Sequence, residues 1–277
     1  MALKCPVCGL ALGRKQKQFV CASMHSFDEA KEGYVNLHLA QDKKSKHPGD
    51  DQAMLVSRRS FLEKSYYDKL AFGLCDIIST YVEDHAFDST TFLDIGCGEG
   101  YFTAKITSVL KTLGSSESCG IDIAKTAVKM AAKRHRCCLF MVASNYKLPF
   151  FDSQFNIILS INAPVDYPEI QRLLDERGIY LHVRPGPKHL YELKKWIYSN
   201  PQIHEQDIQV PDGLNEIQRI LVTDPIDIQG ADNVFNLLQM TPYYWAADRM
   251  TQRKLAAQSS LQTMMEFDVR VFSKRAL

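Results

Sequence analysis

The apolar run Thr91-Phe92-Leu93-Asp94-Ile95 breaks into Gly96-Cys97-Gly98-Glu99-Gly100, and helical spacing begins at Tyr101. A buried strand that turns tightly into a helix reads this way. The order is G-x-G-x-G, not the dinucleotide G-x-G-x-x-G. The glycines remove β-carbons, so a ligand can approach the backbone. A second strand-like run, SCGIDI, ends in Asp122, 22 residues past Gly100. An acid there is placed to bind ribose hydroxyls, and in open parallel sheets ligands sit at the carboxyl ends of the strands. The pattern predicts a nucleotide-type ligand above a glycine-lined turn.

The rest of the chain from about residue 61 repeats this alternation. Residues 61–83 show helical spacing of apolar positions, and AKTAVKMAAKRH and PEIQRLLDER read as further helices. CCLFMVAS, FNIILSINAP and GIYLHVRP read as strands. Such alternation predicts an α/β fold, a parallel sheet with helices on both faces. Past Pro187 the pattern turns irregular, and EIQRILVTDPIDIQG and MMEFDVRVFSK are expected to pair antiparallel at one sheet edge. Three zones result: residues 1–36, small and rich in Cys and Gly; residues 37–60, a polar and basic linker or loop; and residues 61–277, the α/β domain.

Within the first zone, Cys5, Cys8, Cys21 and His25 follow the pattern C-x2-C-x12-C-x3-H. Three thiolates and one imidazole are the donor set of a closed tetrahedral zinc site. Gly9 can take the positive φ that the turn after Cys8 needs. Four protein ligands leave no open position, so the expected role is structural. About 30 residues cannot bury an adequate core, and a metal would supply the missing folding energy.

Lysines and arginines total 33 against 32 acids, so any basic face must be local. No apolar run approaches the roughly 18 residues of a membrane helix, and the start, MALKCPVCG, lacks the apolar stretch of a signal peptide. A cytoplasmic location is expected.

The glycine turn and acidic partners resemble the class I S-adenosylmethionine-dependent methyltransferases over residues 61–190. By that likeness Gly96, Gly98 and Gly100 line the methionine portion with Asp94 nearby. Asp122 holds the ribose, Ala143 and Ser144 lie near the adenine, and Asn162-Ala163-Pro164 faces the transferred methyl. With the zinc module included, the chain resembles the bacterial 23S rRNA guanine-N1 methyltransferases over nearly its whole length. The segments CPVCGLAL, CASMHSFDEAKEGYVNL, KHPGD, SRRSFL, LDIGCGEGYFT, KLPF, PGPKHLYELK and LLQMTPYYW carry the resemblance. It implies a Rossmann-like sheet with an N-terminal Cys3His module, and methylation of N1 of one guanine in a hairpin loop of 23S rRNA by a homodimer. It also implies cofactor contacts at Tyr67, at Gly98, Glu99, Gly100 and Tyr101, and at His189. Asn162 departs from the pattern, standing where an aromatic residue is expected before Ala-Pro.

Guanine N1 carries a proton at neutral pH, so its transfer calls for an acceptor, with a donor for the charge on O6. Asn162, Asp166 and His189 are the leading catalytic candidates, with Glu169 and Tyr101 behind them. Lys15 and Lys17, Lys31, the run Lys43, Lys44, Lys46 and His47, Arg58 and Arg59, and Lys188, Lys194 and Lys195 are candidate RNA contacts. Phe19, Tyr34 and Tyr243 are candidates to stack bases. The competing readings are a small-molecule methyltransferase and a non-catalytic zinc-bearing rRNA-binding protein. The zinc module argues against the first. The complete set of Asp94, the three glycines and Asp122 argues against the second.

Overall fold

The computed structural model describes residues 1–42, 49–206 and 209–275. The N-terminal zone forms a four-stranded antiparallel sheet in the order β1 (Leu3–Lys4), β2 (Ala11–Lys15), β3 (Gln18–Cys21) and β4 (Ser26–Asp28). The next strand, β5 (Tyr34–Asn36), leaves that sheet and pairs parallel with a strand of the main one.

Two helices follow, α1 (Gln52–Leu62) and α2 (Asp68–His85). Asp51 caps α1, its carboxylate accepting from the Met54 N–H at 2.9 Å. The sequence pattern predicts one helix over 61–83. The chain instead breaks between Leu62 and Asp68, where Ser65 takes φ +65°. The break turns Tyr67 inward against the Phe61 and Phe267 rings.

The α/β domain continues with β6 (Thr90–Ile95), α3 (Tyr101–Leu113), β7 (Ser116–Asp122), α4 (Lys125–Arg134), β8 (Leu139–Val142) and β9 (Phe155–Ile161). Then come α5 (Tyr167–Leu173), β10 (Leu174–Pro185), α6 (Tyr191–Ile197), β11 (Leu214–Gln229), α7 (Ala231–Gln239), α8 (Tyr243–Ala246), α9 (Arg249–Ala256) and β12 (Ser260–Lys274). The eight-stranded sheet has the order β11-β12-β10-β9-β6-β7-β8-β5. Six strands are parallel, from β10 to β5, and β12 and β11 close one edge antiparallel, as the late apolar runs predict. The helix expected over PEIQRLLDER stops at Leu173, because Leu174 already pairs with Phe155 at the start of β10.

Alternation explains the near-continuous apolar strands. Phe92, Ile157, Leu159 and Leu181 face a core shared with α2 and α3. Leu93, Ile95, Ile158 and Tyr180 face the other way, into a core shared with α5. Leu3, Cys5, Leu12, Phe19 and Cys21 of the N-terminal module join that second core. The Lys4 N–H donates to the Pro149 carbonyl at 2.8 Å. The metal module therefore packs as part of the sheet's second cover.

Candidate active site and metal centre

The four predicted metal ligands converge. Their donor atoms all lie within 4.8 Å of one another. Cys21 Sγ is 3.4 Å from His25 Nδ1, Cys8 Sγ is 3.6 Å from Cys21 Sγ, and Cys5 Sγ is 3.7 Å from His25 Nδ1. A tetrahedral zinc with bonds of about 2.3 Å to sulfur and 2.0 Å to nitrogen sets its ligand atoms about 3.5–3.8 Å apart. The donor set therefore fits zinc in type and in spacing. The backbone N–H of Leu10 is the main influence holding the Cys8 thiol down at about 6. Gly9 takes φ +78°, as the turn requires.

A cavity of about 880 Å³ opens at the carboxyl ends of β6, β7, β9 and β10. This is where strand order reverses between β6 and β9, the expected crevice of an open α/β sheet. Tyr67, Asp94, Gly96, Gly98, Glu99, Tyr101, Asp122, Asn162 and His189 all line it. Gly96, Gly98 and Gly100 have φ of +73°, +56° and +88°. The Gly98 N–H donates to Asp122 Oδ2 at 3.0 Å and the Ala124 N–H to Asp122 Oδ1 at 2.8 Å. Asp122 is thus locked to the glycine turn. Burial raises its carboxyl. Asp94 is buried, accepts from Thr103 Oγ1 at 2.5 Å, and is pushed by burial up to about 7.

His189 is buried beside Tyr67. Burial lowers its imidazole to about 3, so the ring is neutral at physiological pH. Its Nδ1 accepts from the Glu266 N–H at 3.2 Å. The ring proton is therefore on Nε2, which faces the Tyr67 hydroxyl at 3.5 Å. His189 presents a donor to the cavity, not a lone pair. Burial also raises Tyr67, which stays a neutral phenol.

Other expected residues stand elsewhere. Gly100 is not on the cavity wall; a β-carbon there would press on Ala131 and the His135 ring at 3.0 Å. Asp166 occupies the N-cap position of α5, makes no side-chain cap bond and does not line the cavity. Ser144 and Glu169 border a second, smaller cavity beside Cys5. It is the next residue, Asn145, that faces the main cavity. Asn145 Nδ2 donates to the Pro164 carbonyl at 2.9 Å, joining the wall to the loop after β9. Phe19 and Tyr34 are buried in the core and are closed to base stacking, and Lys194 is buried with Nζ on the Gln202 carbonyl. The run Lys43, Lys44, Lys46 and His47 lies outside the described residues.

Arg58, expected as an RNA contact, stands on the cavity wall, and the sequence reading missed His182, Arg184 and His204 there. Arg58 belongs to the quoted SRRSFL segment and pairs with Asp50 above Gly98. The other three reach the cavity from β10 and the segment after α6, which carry no glycine signal.

Two buried acceptors on this wall, Glu99 Oε1 and Asn145 Oδ1, have no hydrogen-bond partner among the described residues. Unpaired buried acceptors are costly unless a ligand meets them. An amine and an exocyclic amino group would meet them, and a sulfonium nucleoside carries both. The wall therefore fits S-adenosylmethionine.

Residues 3–46 match the zinc-ribbon model described as RlmA, N-terminal, and residues 92–186 match the methyltransferase domain model. A Bacillus subtilis (strain 168) protein, provisionally named 23S rRNA (guanine-N(1)-)-methyltransferase YxjB, is 27% identical over 98% of this chain and 96% of its own. The 23S rRNA (guanine(748)-N(1))-methyltransferase of Streptomyces fradiae is 32% identical over 69% of this chain and 66% of its own. The chain belongs to the 23S rRNA guanine-N1 methyltransferase family. As a member, it pairs a zinc ribbon with an S-adenosylmethionine-dependent methyltransferase fold, and it is a methyltransferase. Among the described residues, this family member has no helix long and apolar enough to cross a membrane.

Proposed function

We propose that the chain transfers a methyl group from S-adenosylmethionine to N1 of one guanine in a hairpin loop of 23S rRNA. The observation that carries this reading is the 96% coverage of a relative so named, zinc ribbon included. A small-molecule enzyme would need only the α/β domain.

In this reading Asp122 binds the ribose hydroxyls and Gly96 and Gly98 admit the methionine portion. Glu99 and Asn145 accept from the amine and the adenine, and Tyr67 and His189 supply neutral donors beside them. The bound cofactor supplies a sulfonium-activated methyl group. The protein's task is alignment of the acceptor nitrogen with it. Asn162, at φ +52° on the loop after β9, lines the cavity and in this reading faces the transferred methyl. The target guanine must leave its stack to reach the cavity. Exposed Lys15 and Lys17 on the β2–β3 hairpin are placed to meet phosphate, and exposed Tyr146 and Trp245 offer rings for stacking. The enzyme acts in the cytoplasm as a homodimer, which sedimentation of the purified chain tests.

The test of activity is methyl transfer to 23S rRNA transcripts by the purified protein, with the product mapped by mass spectrometry. N1-methylguanine at one hairpin position is expected. Binding of S-adenosylmethionine without methyl transfer to RNA would overturn the reading.

A further inference from the structure

We propose that Arg58 holds the carboxylate of the cofactor's methionine arm, with Asp50 as the positioning residue that keeps its guanidinium over the glycine turn. The assignment deepens the cavity reading given above, in which Glu99 meets the amine at the same end of that arm.

The face that α1 turns to the cavity comes first. Met54, Arg58 and Leu62 line the cavity, and a spacing of four puts them on one side of the helix. Arg58 is the charged member of an otherwise apolar stripe. Its Nη1 is 3.7 Å from the point that a β-carbon on Gly98 would occupy, so the guanidinium lies against the turn. The adjacent Arg59 has other work. Its Nε donates to Glu99 Oε2 at 3.0 Å and its Nη2 to the Met130 carbonyl at 3.2 Å. Arg59 thus fixes Glu99 and leaves Oε1 as the unpartnered acceptor. An acceptor on Glu99 and a guanidinium against the neighbouring Gly98 match the ammonium and the carboxylate that a methionine arm carries on one carbon.

The guanidinium has more N–H donors than the protein uses. Among the described residues Nη1 donates to Asp50, and Nη2 donates to the Met240 carbonyl at 3.1 Å. The remaining N–H groups suffice for a forked pair with a carboxylate. The fork is also held still. Asp50 belongs to the segment leading into α1, and a β-carbon on Gly49 would stand 2.9 Å from that of Ala124, so this segment packs on the turn after β7. Met240 follows α7, and Ser57 Oγ donates to Gln239 Oε1 at 2.6 Å, which ties α1 to the end of α7.

Charge narrows the choice further. The wall is rich in acids, namely Asp50, Asp94, Glu99 and Asp122, and none of them offers a carboxylate a partner. The arginines on the wall are Arg58 and Arg184. Arg184 stands on β10, two strands from β6 and its glycine turn, and is 3.7 Å from Asp268. Burial leaves His189 neutral. Arg58 is the cation at the turn that admits the methionine portion.

Calorimetry on the purified full chain tests this by comparing S-adenosylmethionine with decarboxylated S-adenosylmethionine. The second compound keeps the adenosine, the sulfonium and the amine and lacks the carboxylate. The readout is the ratio of the two affinities, because a substitution that merely loosens the cavity weakens both and leaves the ratio unmoved. The wild-type ratio should favour S-adenosylmethionine by about thirtyfold or more. Arg58→Met should bring it to within about threefold of unity. Arg58→Lys, which keeps the charge and loses the fork, should give an intermediate ratio, and it serves if Arg58→Met does not fold. Asp50→Asn should also lower the ratio. A wild-type ratio near one, or a wild-type ratio retained in the Arg58 variants, overturns this assignment alone. A wild-type chain that binds neither compound overturns the cavity reading with it.

Discussion

A β-carbon on Gly96 would stand 2.4 Å from the β-carbon of Ala163. The glycine turn and the loop after β9 can close on each other only because position 96 has none. The contact brings the two walls of the cavity together, and Asn145, 4.0 Å from the same point, completes the junction.

Gly96→Ala should therefore separate these loops. The backbone at φ +73° adds strain, and such positions cost about 1–3 kcal/mol for a residue with a side chain. Calorimetry should show cofactor affinity lowered at least about tenfold with the fold retained. Wild-type affinity in this variant would show that the junction does not shape the site.

Asp122→Ala removes the proposed ribose acceptor and also releases the Gly98 and Ala124 N–H groups. Hydrogen bonds to charged groups contribute about 1.5–3 kcal/mol, so cofactor affinity should fall roughly ten- to a hundredfold. RNA affinity should change far less. Equal losses for both ligands would count against the ribose assignment.

Asp94 links stability to pH. Burial raises its folded carboxyl to about 7, whereas the unfolded one titrates at its ordinary 3.8. Between those values the folded state binds more protons, so this group's contribution to stability is complete below the lower value and lost as pH rises through the upper. Asp94→Asn mimics the protonated acid. It should raise the melting temperature at pH 8, by up to about 4 kcal/mol of stability, and leave it unchanged at pH 4. An equal shift at both pH values would exclude Asp94 as the source.

Metal removal should destabilise more than the first zone. Leu3, Leu12 and Phe19 share a core with Met141, Leu148 and Phe150 of the α/β domain. Chelation should lower the melting temperature of the whole chain in one transition. Because ligand thiols must be deprotonated, metal affinity should fall in acid. A small separate transition for the N-terminal zone, with the main one unmoved, would show that the shared core does not couple them.

The parts of the site legible in the sequence are those with local chemistry. Cys5, Cys8, Cys21 and His25 are read from spacing, because a tetrahedral ion imposes it. Gly96, Gly98 and Asp122 are read because a strand, a turn and a helix adjoin in the chain. His182 and Arg184 look like ordinary residues of a buried strand, and only the placement of β10 beside β9 turns them toward the cavity. Ser144 and Asn145 are neighbours at the start of a turn past the end of β8, and the turn, which no strand periodicity announces, sends only Asn145 to the main cavity. The break between α1 and α2 left no glycine or proline to announce it.

The strand that completes the sheet beside β8 comes from the N-terminal zone, since β5 follows the metal ribbon directly. A chimera that transplants the ribbon from a relative by cutting after His25 would keep this strand. One that exchanges residues 1–36 as a cassette would also replace Val35, which has no exposed surface. The metal ribbon and one edge strand of the catalytic sheet are thus continuous in the chain, so a ribbon exchanged up to residue 36 carries a buried part of the sheet with it.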